Sequence, residues 1–139
     1  LMMQHTFGES GFGFQANYTI VDGDLDYDIN LNEEQWVVPG MSNTANLVGF
    51  YDKDGLQVRI AVNWRDQFLA SAGRDPLFVE EYYQIDMNLS YEINDNLSLF
   101  IEGINLTEED QRIHGRSTYQ VREYAVGHAR YNLGARYSF

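Results

Sequence analysis

Apolar and polar side chains alternate along most of this chain with a period of two. Leu56, Val58, Ile60, Val62 and Trp64 alternate with Gln57, Arg59, Ala61, Asn63 and Arg65. Ile85, Met87, Leu89, Tyr91 and Ile93 alternate with Asp86, Asn88, Ser90 and Glu92, and Phe12 to Ile20 repeats the pattern. The last nine residues do so as well, with Tyr131, Leu133, Ala135, Tyr137 and Phe139 on one side and Asn132, Gly134, Arg136 and Ser138 on the other. A strand sends successive side chains to opposite faces, so each stretch makes one greasy and one wet face. Two stretches are less clean: Phe100 interrupts the polar positions of 97–102, and in 44–52 Val48 and Phe50 oppose Leu47 and Tyr51. The pattern predicts six strands of roughly 9–12 residues, longer than the ~5–6 typical of globular sheets. It matches the ~9–11 residues that cross a bilayer at a tilt. No segment has helical periodicity.

The predicted connections sort into two kinds. Asp52-Lys-Asp-Gly55, Asn94-Asp-Asn96 and Gly8-Glu-Ser-Gly11 read as tight turns, rich in residues that tolerate positive φ. Residues 23–42, 70–80 and 107–128 read as long loops. Short and long alternate, which places every long loop at one end of an all-β antiparallel meander. An outer-membrane barrel sorts its loops this way. A soluble sheet with one solvated face alternates identically; strand length, loop sorting and the aromatic terminus favour the barrel. Charge supports the face assignment, since Arg59, Asp86, Glu92, Glu102 and Arg136 all fall on the polar face. Six strands alone leave two edges of unpaired backbone groups, each costing several kcal/mol in lipid. Leu1–Phe7 reads as the tail end of an earlier strand. Residues 1–139 are therefore expected to form the C-terminal piece of a larger barrel. A small barrel of about eight strands requires further strands within the long loops.

Composition narrows the partners. Asp+Glu number 21 against Lys+Arg 9, a formal charge of −12. Nucleic acid needs a basic surface and is excluded as a partner, as is electrostatic attachment to anionic lipid. The chain has no cysteine, hence no disulfide framework and no thiolate metal site. Leu1-Met-Met-Gln-His-Thr lacks the basic and apolar regions of a signal peptide. No apolar run is long enough for a transmembrane helix, and barrel strands stay below hydropathy thresholds because they are half polar. Tyr at 10 and Phe at 8 are a heavy aromatic load, favouring strands and membrane interfaces.

Several segments together resemble the TonB-dependent receptors of the Gram-negative outer membrane. They are Pro39-Gly-Met-Ser-Asn-Thr-Ala-Asn-Leu-Val-Gly-Phe-Tyr51, Val58-Arg-Ile-Ala-Val-Asn-Trp-Arg65, Asn94-Asp-Asn-Leu97, Gly103-Ile-Asn-Leu-Thr107 and Gly134-Ala-Arg-Tyr-Ser-Phe139. Asn105-Leu-Thr107 is similar to the family segment that follows the penultimate strand, with Glu108 where Asp is commoner. The resemblance covers about Gly11 to Phe139 and rests on order and spacing rather than on one motif. It is nearest the branch of Caulobacter- and Xanthomonas-like bacteria, many of which are thought to import carbohydrates. It implies a 22-stranded transmembrane barrel closed by a plug domain, with this chain supplying roughly the last six strands. The plug and the TonB-contacting segment (the TonB box) are absent. The implied partners are outer-membrane lipid, a small-molecule nutrient, the TonB system through the missing plug region, and the barrel-assembly machinery. For that machinery the terminal strand carries the signal: Phe139 and Tyr137, then Ala135, Leu133 and Tyr131.

Candidate chemistry outside the strands is sparse. Asp22, Asp24, Asp26 and Glu33 occupy positions 1, 3, 5 and 12 of a calcium-loop pattern, but Tyr27 stands where the sharp turn needs Gly. The plainer reading is a solvated acidic loop. His5, His114 and His128 have no ligand spacing, and neither a phosphate loop nor a nucleophile elbow appears. No enzyme activity and no cofactor is expected. Ligand-contact candidates are aromatic and polar residues of the long loops: Trp36, Arg74, Asp75, Tyr82, Tyr83, Arg116 and Tyr119. Local loop packing competes with that role at each. The expected function is energy-coupled uptake of a scarce nutrient, a carbohydrate or an iron-siderophore chelate, in the outer membrane. The alternatives are a passive porin-like or small structural barrel, and a soluble β-rich binding or adhesin module.

Overall fold

A computed structural model of the chain describes residues 1–22, 27–31, 33, 35 and 37–139. Its strands are β1 (Met2–Thr6), β2 (Phe12–Thr19), β3 (Thr44–Lys53), β4 (Leu56–Arg65), β5 (Phe68–Ser71), β6 (Leu77–Val79), β7 (Tyr82–Asn94), β8 (Leu97–Ile104), β9 (Gln111–His114), β10 (Val121–Ala125) and β11 (Arg130–Tyr137). Every pairing is antiparallel. Seven strands form the main sheet in the order β1-β2-β3-β4-β7-β8-β11, and four form a second sheet in the order β10-β9-β6-β5. The fold is all-β, and the main sheet is open, with β1 and β11 as its edges. Among the described residues no helix is long and apolar enough to cross a membrane.

The expected six strands are thus too few, for two reasons. Leu1–Phe7, expected outside the six as the tail end of an earlier strand, is β1, paired with β2 from Met2↔Asn17 to Thr6↔Gly13. The stretches 70–80 and 107–128 contain strands too short to show a period. These short strands prolong the long ones. β5 follows β4, β6 leads into β7, β9 follows β8 and β10 leads into β11, and the second sheet keeps the same neighbour order. The second sheet is therefore four staves of the main sheet continued past a break. At that break Asn105 and Glu108 adopt left-handed backbone angles (φ 55° and 52°). The Leu106 N–H bonds the Ile85 carbonyl at 2.8 Å.

The three tight turns lie together at the other end, at Gly8–Ser10, Asp54-Gly55 and Asp95-Asn96. The terminal strand ends at Tyr137, but pairing continues beyond it: the Ser138 N–H bonds the Asn96 carbonyl at 2.9 Å, and the Asn96 amide bonds the Ser138 carbonyl at 2.8 Å.

Register sorts the main-sheet side chains into two faces. One row joins Ala16, Leu47, Val62 and Ile85; another joins Tyr51, Val58, Leu89, Ile101 and Leu133. The opposite face joins Asn17, Asn46, Asn63 and Gln84 in one row and Arg59, Asn88, Glu102 and Asn132 in another. The two irregular stretches then make sense. Phe50 and Phe100 stand on the polar face because each covers a cross-strand glycine. A β-carbon on Gly13 or Gly134 would meet the Phe50 or Phe100 ring at 2.3 Å. An aromatic ring over a strand glycine replaces the packing that the glycine lacks.

Burial runs against the usual rule in places. Val48 and Ala61, on the polar face, are buried at 5% and 8% exposure, while their neighbours Leu47 and Ile60 on the apolar face stand at 50% and 44%. On β3 and β8 the polar-face Asn46, Phe50, Phe100 and Glu102 are half-buried and the apolar-face Leu99 and Ile101 exposed, whereas on β4 the polar-face Gln57, Arg59 and Asn63 are exposed and the apolar-face Val58 and Val62 half-buried. Val48, Ala61 and Val79 are the buried hydrophobic core of the described residues. A domain in water buries apolar faces between two layers, and among the described residues no second layer covers the main sheet. The accessible surface of 9972 Å² also exceeds the roughly 7,400 Å² of a compact protein of this mass.

Candidate functional site

Two regions carry polar chemistry: the polar face of the main sheet and the end built by the long connections. On the polar face, carboxylates are held by amides. Glu102 accepts from Asn88 and Asn132, both at 3.2 Å. Asp86 accepts from Gln84 at 2.7 Å and from the Asn105 backbone N–H at 2.9 Å. The side chains of Asn46 and Asn63 bond to one another. A recess of about 230 Å³ opens among Arg59, Asp86, Asn88 and Glu102. The face holds Asp52, Asp86, Glu92 and Glu102 against Arg59, Arg65, Arg130 and Arg136, so its formal charges cancel. The whole −12 excess lies elsewhere, in turns, connections and the second sheet.

The apolar face is bounded by aromatic residues at both ends. Toward the tight turns Phe12 and Tyr51 pack at 4.7 Å, and Tyr137 meets Phe139 edge-on at 5.2 Å. Toward the long connections Tyr18 stacks on Trp64 at 6.5 Å, and Tyr83 pairs with Trp64 in register. The Trp64 indole N–H donates to Glu81 at 2.5 Å. The chain's one lysine, Lys53, sits at the turn end of this face and reaches the Glu9 carbonyl at 3.1 Å. Leu106 folds back over Gly103, where a β-carbon would meet it at 2.7 Å.

The Asn105-Leu-Thr107 segment has a structural task. Asn105, buried at 7% exposure, accepts from the Glu109 N–H at 3.1 Å and from Thr107 at 3.2 Å, and donates to the Glu109 carbonyl at 3.2 Å. Gly127 packs against the same turn, where a β-carbon would lie 1.9 Å from the Glu109 carbonyl oxygen. Beside it Asp110 accepts from the Tyr124 hydroxyl, and from the Gly127 N–H at 2.8 Å. The Tyr124 bond, then the Gly127 bond, hold the Asp110 carboxyl below its ordinary value, and the same carboxylate raises the Tyr124 hydroxyl above its own. Both groups lie beyond the main sheet.

The structure scatters the candidate ligand residues. Arg116 donates to the carbonyls of Ile29, Leu31 and Arg74. Asp75 pairs with Arg122 at 2.6 Å. Tyr82 lies on the polar face, bonds Gln84 at 2.8 Å, and with Phe68 flanks the Arg65 guanidinium. Tyr83 belongs to the apolar face. Arg74 is exposed, and Tyr119 stands free at 94% exposure. Trp36 lies outside the described residues, as do Asp24 and Asp26 of the calcium pattern; Asp22 and Glu33 are exposed. Among the described residues no three His, Asp or Glu side chains stand close enough to hold a metal ion.

Sequence reasoning missed the placement of His114. His114 is buried at 4% exposure and stacks on Phe78 at 5.3 Å, with its Nδ1 against the Gly115 carbonyl at 2.7 Å. The pairing Phe78↔His114 that puts them together joins two connections remote in sequence, and no local period signals it. The register adds Asp52 and Arg130 to the charges that alternation already places on the polar face. The terminal residues Tyr131, Leu133, Ala135 and Tyr137 lie along one face of β11, paired only with β8, and Phe139 extends past the strand. Compared with models of known protein families, with curated proteins and with solved structures, the chain matches none.

Proposed function

We propose that this chain is the C-terminal wall of a transmembrane β-barrel in the Gram-negative outer membrane, part of a TonB-dependent receptor that takes up a carbohydrate or an iron chelate. The observation that carries the reading is the uncovered apolar face of the main sheet, where Leu47, Ile60, Tyr91, Leu99, Ile101 and Leu133 are all exposed. In water such a face is a liability, since monomers rarely expose contiguous apolar patches beyond a few hundred Å². In lipid it is the surface the solvent requires. From Tyr83 to Tyr91 the apolar row runs roughly 26 Å along the strand. At the usual tilt that is about 20 Å of height, near the ~25 Å apolar band of outer-membrane barrels. The aromatic residues at both ends and the lysine at one rim fit the same placement.

The open edges support a larger object. Seven alternating staves leave β1 and β11 running in the same direction, so an all-antiparallel closure takes an odd number of further strands. A 22-stranded barrel meets that condition. Energy coupling and nutrient uptake rest on the resemblance of the segments named above. The test is made in the source cells. The protein is expected in the outer-membrane fraction with a heat-modifiable gel mobility, and loss of TonB should abolish uptake while leaving ligand bound at the surface. Recovery in a soluble fraction would overturn the membrane reading. Uptake indifferent to TonB would leave a passive pore.

A further inference from the structure

The long connections are not three separate loops. Residues 27–31 of the β2–β3 connection lie as a strap against the other two. The Tyr27 ring packs edge-on to Phe78 at 6.0 Å, and its hydroxyl donates to the Gly73 carbonyl at 2.8 Å. Further along the same connection the Gly40 N–H donates to the Leu69 carbonyl at 2.7 Å. Arg116, from the β9–β10 connection, reaches both of the others: Nη1 bonds the carbonyls of Ile29 and Leu31, and Nη2 bonds the Arg74 carbonyl at 3.1 Å. These acceptors are backbone oxygens, two in one connection and one in another. A planar, always-charged fork meets them from two separate nitrogens, Nη1 on one connection and Nη2 on the other, a reach that a single ammonium nitrogen lacks.

We infer that Arg116 is a pin locking the three long connections into one body, so that this end of the molecule presents a preformed surface rather than loops that close on what they bind. The inference is independent of the membrane reading. Spin labels can be placed by cysteine substitution in the purified full-length protein, these 139 residues carrying no native cysteine and any outside them being replaced by serine. With Asn30→Cys and Thr118→Cys, the distance distribution should be narrow when Arg116 is present. Arg116→Ala should broaden it roughly twofold, as release of a local unit does, and Arg116→Lys should broaden it as well. A reference pair on the main sheet, Gln57→Cys with Asn132→Cys, should not change. An unchanged strap distribution in Arg116→Ala overturns the pin, and a lysine that restores the narrow distribution overturns the fork. If the reference pair broadens too, Arg116 serves folding at large and the proposal falls.

Discussion

Gly134 and Gly49 lie on opposite faces of one sheet and predict opposite outcomes. A β-carbon on Gly134 runs into the Phe100 ring at 2.3 Å, whereas one on Gly49 meets nothing within 4 Å. Gly134→Ala should destabilise the sheet by about 1–3 kcal/mol, the cost of forcing a packed ring aside. Gly49→Ala should be near neutral; chemical denaturation of the two variants in lipid measures the difference. The same glycines explain why the sequence reads unevenly. Phe50 and Phe100 break the alternation because their partners, Gly13 and Gly134, lie on neighbouring strands, and a period along one strand carries no trace of them. The Asp110–Tyr124 pair gives a second residue-scale prediction. Asp110 titrates below its ordinary value in the fold, so its contribution is present above the unfolded carboxyl range and is lost as pH falls through the folded value. Tyr124 titrates above its ordinary value, so its contribution is present below about pH 10 and is lost as pH rises through the folded value. Hydrogen-exchange protection of the Gly127 amide should therefore hold from about pH 4 to pH 10 and fall on both sides, and Asp110→Asn should remove that dependence.

Strands that are long and half polar were the most readable elements, and short ones the least. β4 announces itself over Leu56–Arg65 and β7 over Ile85–Ile93, because alternation accumulates over many residues; Tyr82 and Tyr83, expected in a long loop, open β7 instead. β6 and β9, Leu77–Val79 and Gln111–His114, are set by pairing with one another beyond the break rather than by any pattern of their own. The face assignment of β4 makes a quantitative prediction. Arg59 is native on the polar face, while its neighbour Ile60 points to the apolar one. Ile60→Arg should cost ~2–4 kcal/mol in a bilayer if that row lies near the midplane. Unfolding from lipid vesicles measures it, and a cost near zero would place the row in water. Of the candidate site, the residues in connections were readable as exposed or polar but not as ligand contacts. Arg116 illustrates why: its three acceptors come from segments some 40 and 85 positions away.

At the scale of the whole molecule, the account is that of a single layer with its solvents reversed. Its net charge sits outside the balanced polar face, its aromatic residues at the two rims, and its unpaired backbone at the two edges. The 139 residues alone in water should aggregate, because the apolar rows are uncovered and both edges are free to pair. Analytical ultracentrifugation without detergent checks this, and a monodisperse, cooperatively melting monomer would count against it. The all-β class, the sorting of turns and the polar and apolar faces could be read from sequence because alternation and turn chemistry are local. The pairing partners of β1 and β11 at the two open edges could not be read, because pairing between distant strands leaves no local pattern. The central claim is that the apolar face meets lipid and the polar face meets water. The direct measurement is a spin-label scan of 57–63 in the full-length protein in liposomes, comparing collisions with oxygen and with a water-soluble nickel chelate. Labels at 58, 60 and 62 should favour oxygen and those at 57, 59, 61 and 63 the nickel chelate, a period-two profile. Equal nickel accessibility on both faces would contradict the account.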